Sequence, residues 1–319
     1  MTTPRVLAFV AGLALLLGPA RGQPPIARQH AALVHAVALS PDGKTLATAG
    51  FDNLVKLWSV GSDGTLKELK SLPGHTGPVY AVAFHPKENV LASASLDKTV
   101  RLWDLDDGKL AKELKGHTDI VDAVAFSPDG KTLASAGADK SVRLWDPAEG
   151  KELKNLGSHA GSVYTVAFSP DGKLLVSAGG GDKDQIKVWD VAAQKELKVL
   201  KGHDQPVTGV VFAGDPKTLV SVSMDRTIRV WDVAEGKETK KLGPTPDDPY
   251  AVAWSPKSKL LGVCGYSGLV SAWDPAEDKP RFTKAVKSPG YCVTFTADGK
   301  KLISGHDNGS VVVTPITGK

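Results

Sequence analysis

The stretch "LASASLDKTVRLWD" (91–104) decides the fold, because the chain repeats it. It returns as "LASAGADKSVRLWD" (133–146) and "LVSVSMDRTIRVWD" (219–232), and with two inserted residues as "LVSAGGGDKDQIKVWD" (175–190). "LATAGFDNLVKLWS" (46–59) precedes it, and two weaker copies follow, "LGVCGYSGLVSAWD" (261–274) and "LISGHDNGSVVVTP" (302–315). Trp58, Trp103, Trp145, Trp189, Trp231 and Trp273 share one repeat position, which Thr314 occupies in the last copy. The intervals between them are 45, 42, 44, 42, 42 and 41 residues. A fixed period of this length marks a repeat architecture.

Inside each unit the pattern has period two. "VYAVAF", "VLASAS" and "TVRLWD" read as short alternating strands separated by turn signals such as "SPDG" and "SLDK". A lysine-rich fourth run follows each Trp, as in "KLAKELK" (109–115), "KELKNL" (151–156) and "QKELKVL" (194–200). Helix signals are scarce: 33 glycines and 21 prolines recur at short intervals. Four short antiparallel strands per unit of roughly 40–45 residues describe a propeller blade.

With Gly-His near one end and Trp-Asp near the other, the units resemble the WD40 repeat, over nearly the whole chain after about residue 26. The resemblance implies an all-β, seven-bladed β-propeller of the G-protein β-subunit type. The seventh copy stops three strands in, at "SVVVTPITGK" (310–319), and "PIARQH" (25–30) sits where an outer strand precedes a His in other units. Residues around 24–29 are therefore expected to complete blade seven and close the ring, leaving no orphan edge. The propeller domain spans residues 24–319.

His30, His75, His117 and His203 each lie a fixed distance before a turn aspartate: Asp52, Asp97, Asp139 and Asp225. Each aspartate has a hydroxyl four residues before it, from Thr48, Ser93, Ser135 or Ser221, and Trp58, Trp103, Trp145 or Trp231 six residues after it. A buried indole N–H and a buried hydroxyl need partners, and a His–Asp pair can supply them. These positions match the structural network of the WD40 repeat. Blade four keeps His159, Ser177 and Trp189, with Asp182 or Asp184 to take the acid's role in its lengthened turn. Blade six has Thr245, Val263 and Ser267 at the other three positions, so its network is expected to be lost. Blade seven, with Val286, Asn308 and Thr314, keeps only Ser304.

A Ser–His–Asp set invites a hydrolase reading, but this one recurs in four blades with a Trp attached, whereas a nucleophilic site is normally unique and set in a cleft. Histidines at blade spacing also belong to separate blades and not to one metal sphere. His306 and Asp307 stand outside the pattern, with a ligand role as their alternative use.

A different repeat position carries the aromatic residues. Five residues after His75 stands Tyr80, equivalent to His35, Asp122, Tyr164, Thr208, Tyr250 and Tyr291, so four of the chain's five tyrosines fall here. By family resemblance this position lies on the top face, around the mouth of the central channel where partner peptides dock. The residue before the turn aspartate is a second top-face position, holding Phe51, Leu96, Ala138, Met224, Tyr266 and Asp307. Large apolar groups on tight polar turns are unusual unless they cover something. Together the two rings read as an aromatic rim that anchors a protein or peptide. Asp122 and the insertion "GGGDKD" (179–184) break its symmetry.

The remaining features set the context. A net charge of +4 without a basic stripe argues against nucleic acid as a partner. Arg5, the apolar run "VLAFVAGLALLLG" (6–18) and the small residues after it fit a signal peptide over residues 1–22, cleaved after Ala20 or Gly22. The run is shorter than the ~20 residues of a membrane span, and no membrane insertion is expected after its removal. Export would place the protein in the periplasm or outside the cell, where Cys264 and Cys292 could pair but need not. The lysines of the outer strands read as solvated edges that discourage pairing between sheets. The expectation is an exported, non-catalytic scaffold with no cofactor. Its rivals are an exported enzyme or small-ligand sensor with His35, Asp122, His306 and Asp307 gathered at the channel mouth, and a structural subunit of an envelope assembly.

Overall fold

The computed structural model describes residues 28–181 and 185–316. The alternating segments form 27 strands in seven antiparallel sheets, six with four strands and one with three. In blade one Val34–Leu39, Thr45–Gly50, Val55–Val60 and Leu66–Leu72 pair in chain order from the axis outward. The innermost strands form a closed ring: Val34–Leu39, Val79–Phe84, Val121–Phe126, Val163–Phe168, Val207–Phe212, Pro249–Ser255 and Gly290–Phe295 each lie beside the next, and the last lies beside the first.

The core lies between blades. Ala47, Ala49, Val55, Leu57 and Leu72 of blade one meet Val79, Val82, Leu91 and Trp103 of blade two in one buried cluster. Every other junction repeats this arrangement, and Val34, Leu46 and Trp58 meet Cys292, Ile303 and Val311 where blade one meets blade seven. Second strands are buried along almost their whole length because sheets cover both of their faces, as in Val90–Ser95. Outer strands face solvent with their lysines, among which Leu69, Leu110, Leu153 and Leu197 also stand exposed.

One irregularity recurs in every blade. The pairing of the first strand with the second slips by one residue near its start, between Val79 and Ala81 in blade two and at the matching place in the other six. The extra residues are His35, Tyr80, Asp122, Tyr164, Thr208, Tyr250 and Tyr291. A β-bulge of this kind leaves its residue unpaired and re-aims the side chain.

Blade seven comprises Gly290–Phe295, Lys301–His306 and Val311–Pro315. At its open side Arg28 bridges Ser310, the amides of Gln29 and His30 donate to Gly309 O, and Val311 N donates to Gln29 Oε1 at 2.7 Å. Gly309 has φ +82°, and a Cβ there would collide with the carbonyl oxygen of His30. Residues 24–27 of the expected closing strand lie outside the described residues, as do residues 1–22, read as a signal peptide, and Asp182 and Asp184.

Candidate functional site

The histidine networks tie the loops around the channel to the turns beside them. In blade two His75 lies with Nδ1 2.7 Å from Asp97 and Nε2 2.7 Å from Ser93 Oγ, which also accepts the indole N–H of Trp103 at 2.8 Å. The proton positions follow. Ser93 has one hydrogen, and having accepted from Trp103 it donates to a bare Nε2, so the imidazole carries its proton on Nδ1 and donates to Asp97. The same chain links His30, Asp52, Thr48 and Trp58. It also links His117, Asp139, Ser135 and Trp145, and His203, Asp225, Ser221 and Trp231. In blade four His159 and Trp189 meet on Ser177 Oγ at 2.7 and 2.8 Å.

Electrostatics agree with a structural use. Burial acts to raise the Asp97 carboxyl, but hydrogen bonds from His75 and Thr99 outweigh it and hold the group well below the usual carboxylate range. Asp225 is held down in the same way against its burial, by His203 and Thr227. Burial lowers His117 and His203 despite their aspartates, keeping both rings neutral.

Blade six lacks the His–Asp–hydroxyl set and satisfies its tryptophan by another route, and blade seven, expected to keep only Ser304, finds that hydroxyl a new partner. In blade six Trp273 donates to Ser271 Oγ at 2.9 Å, a hydroxyl two residues before it on its own strand. The tie between loop and turn is reversed: Asp247 in the loop accepts from the backbone amide of Ser267 in the turn, and Thr245 donates to Asp247 O at 2.7 Å. Where other blades place an imidazole, a small cavity of about 20 Å³ remains beside Thr245 and Trp273. In blade seven His306 takes over, with Nε2 2.8 Å from Ser304 Oγ and Nδ1 2.8 Å from Ser288 O. His306 is fully buried, and Asp307 accepts from Ser288 Oγ. The ligand role considered for this pair gives way to a packing role.

The bulged residues meet at the channel mouth. His35, Tyr80, Asp122, Tyr164, Thr208, Tyr250 and Tyr291 all line one cavity of about 280 Å³, together with Met224 and Ala138 from the second ring. Ile120 and Ser162 join them; each stands two residues before a ring position, where the repeat pattern gave no signal beyond an apolar Ile on a loop. Tyr250 and Tyr291 stack at 4.9 Å and 14°. His35 lies 4.8 Å from Tyr80 and 5.6 Å from Phe51, and its Nδ1 donates to Tyr80 O, 2.7 Å away. Thr208 donates to Pro249 O at 2.7 Å.

The ring is not uniformly open. Tyr80, packed against His35 and Phe51, is only 7% exposed, so it forms wall more than surface. Tyr164, Tyr250 and Tyr291 are half-buried, while Tyr266 and Leu96 stand out at 61% and 41% exposure. Burial, and then the charge of Asp122, push the Tyr80 hydroxyl up to about 12; burial and Tyr250 do the same for Tyr291. Asp122 itself is pushed up to about 7 by burial and by Asp119 and Asp139. Burial lowers His35.

Of the four groups expected to converge in an enzyme site, His35 and Asp122 line the cavity and His306 and Asp307 do not. Among the described residues no group of three or more His, Cys, Asp or Glu is placed to hold a metal ion. Cys264 and Cys292 are both buried free thiols. Among the same residues no helix is long and apolar enough to cross a membrane.

Comparison with known proteins agrees with the geometry. The family described as "WD domain, G-beta repeat" matches residues 24–59, 66–104, 108–146, 150–190 and 194–232, the first five blades. Ribosome assembly protein 4 of Saccharomyces cerevisiae is 49% identical over 51 residues, which is 15% of this chain and 10% of that protein. The matched segment is little longer than one blade.

Proposed function

The chain belongs to the WD40 repeat family, and from that premise we propose that it is an exported, non-catalytic scaffold that holds a protein or peptide on its top face. A WD40 propeller suits protein interaction generally, since its loops surround a rigid ring. The choice of face rests on one observation. Every innermost strand carries a bulge at the same place, and these bulges deliver four of the five tyrosines to one mouth. Half-buried aromatics around a concavity, with Tyr266 and Leu96 exposed beside them, have the character of an anchoring site.

Tyr164, Tyr250 and Tyr291 are the residues to change, because Tyr80 is largely enclosed. Affinity capture from the exported fraction, with wild type and with Tyr250→Ala/Tyr291→Ala, tests the reading. Loss of partners with an unchanged melting temperature supports the mouth; unchanged partners refute it and direct attention to the perimeter leucines.

Two finer parts of the proposal concern the N-terminus. Export rests on the basic residue, apolar run and small residues at 5–22. The N-terminal sequence of protein recovered outside the cytoplasm should begin at Arg21 or Gln23, and a cytoplasmic chain retaining Met1 would refute export. Closure of blade seven by residues 24–29 is supported by the Arg28–Ser310 bridge. A chain starting at Ala31 should unfold at a lower temperature than one starting at Gln23. The name of the yeast relative refers to ribosome assembly, but a shared segment of about one blade carries no such role to this chain.

A further inference from the structure

Asp122 is the one acidic residue in the ring of bulged positions at the channel mouth. Its carboxylate is half-buried, and among the described residues no cation and no hydrogen-bond donor serves it. Nearby charge is of the same sign, from Asp119 and Asp139, and Asp139 already has His117 as its partner at 2.9 Å. An uncompensated carboxylate in such a place is costly to the fold. The fold retains it at a mouth where a partner can arrive from outside.

Its surroundings suit a cation. Tyr80 and Tyr164 stand on the neighbouring blades to either side, near enough for the carboxylate's charge to act on both hydroxyls. Across the ring the stacked pair Tyr250 and Tyr291 completes the aromatic lining. Aromatic faces are electrostatically negative and attract ammonium and guanidinium groups. The cavity, at about 280 Å³, falls just below the ~300–1,000 Å³ of small-molecule pockets, a size suited to one long side chain.

From this geometry we propose that the channel mouth receives a single lysine or arginine side chain of the partner polypeptide, with Asp122 as its counter-ion and the tyrosines as its walls. The proposal rests on the reading of the top face as the docking face. It adds the chemistry of the residue that enters.

The test uses three fluorescein-labelled heptapeptide pools, identical except that the central residue is lysine, arginine or norleucine. Binding to the exported propeller is read by anisotropy at pH 8, and folding by thermal melting. The lysine or arginine pool should bind at least about 10-fold tighter than the norleucine pool, as expected for a charge-assisted contact. Asp122→Asn should erase that difference. Equal binding of all pools to the wild type, with Tyr291→Ala weakening each of them, would overturn the cationic specificity and leave the docking face standing. Binding of none, or binding that Tyr291→Ala leaves untouched, would overturn both. If Asp122→Asn fails to fold, the wild-type comparison of lysine with norleucine decides alone.

Discussion

His306 Nε2 lies 2.8 Å from the hydroxyl of Ser304, two residues earlier on the same strand. In blades one to five that hydroxyl position is met by a histidine from the preceding loop, 18 residues before it. Blade seven reaches the same bond from within its own strand, and Nδ1 donates to Ser288 O, in the loop that lacks the histidine. The requirement is a satisfied buried hydroxyl, and the sequence meets it by two routes.

Replacing His306 by Phe keeps a ring of similar size but leaves Ser304 Oγ and Ser288 O without that partner. Unsatisfied buried groups cost on the order of 1–3 kcal/mol each, so the variant should be destabilised by about 2 kcal/mol or more in urea unfolding. Because His306 is fully buried and outside the mouth, peptide binding at saturating folded protein should not change. Loss of binding without loss of stability would show that the residue acts at the site after all.

Blade six offers a comparison of indole partners. Ser271→Ala removes the acceptor of Trp273 and a long 3.4 Å donation to Val263 O, a carbonyl within the sheet, whereas Ser135→Ala strands both the Trp145 N–H and the His117 acceptor. The first should cost about 1–2 kcal/mol and the second roughly twice that, read as shifts in the urea midpoint at constant slope. Equal costs would mean that the His–Ser bond adds nothing to blade three.

The repeat itself made the ring of blades legible, since Trp-Asp spacing and alternation specify both the period and the strands. The networks in blades one to three and five follow from fixed offsets such as His75 to Asp97. Two things were hidden. Ser271 and His306 act from positions where other blades carry lysine or arginine and a small or apolar residue, so no offset pointed to them. The direction of Tyr80 was hidden too: alternation gives it the parity of Val82 and Phe84, but the slip between Val79 and Ala81 breaks that parity at Tyr80 itself. A bulge is a feature of pairing between strands, and one strand's alternation cannot reveal it.

Acid should weaken the propeller in two stages. His117 and His203 have folded values below the ordinary ~6.5, so their contribution is complete above that pH and is lost as pH falls below it. Asp97 and Asp225 are likewise depressed, so their contribution is complete above ~3.9 and lost as pH falls further. Asp97→Asn/Asp225→Asn should therefore flatten the decline below about pH 4 while leaving in place the part of the earlier shoulder, below ~6.5, that His117 sets through its own partner Asp139, as followed by chemical denaturation from pH 7 to 3. A shoulder that vanished with the two aspartates would assign the first stage to them.

Asp122 has the opposite sign. Its folded value, about 7, lies above the ~3.9 of an unfolded chain, so its effect on stability is least harmful in acid and grows as pH rises through that interval. Taken alone a rise of that size would correspond to about 4 kcal/mol, but the carboxylate lines a solvent-reached cavity and screening reduces this to on the order of 1–2 kcal/mol. Asp122→Asn should thus stabilise the protein at pH 8 by that amount and by almost nothing at pH 4. The same substitution should abolish the preference for lysine or arginine over norleucine. A gain in stability coupled to a loss of binding is what separates a functional carboxylate from a structural one, and Asp97→Asn supplies the contrast, since it should lose stability at pH 8. If Asp122→Asn destabilises at pH 8, the carboxylate has a partner inside the fold, and its place at the mouth is structural.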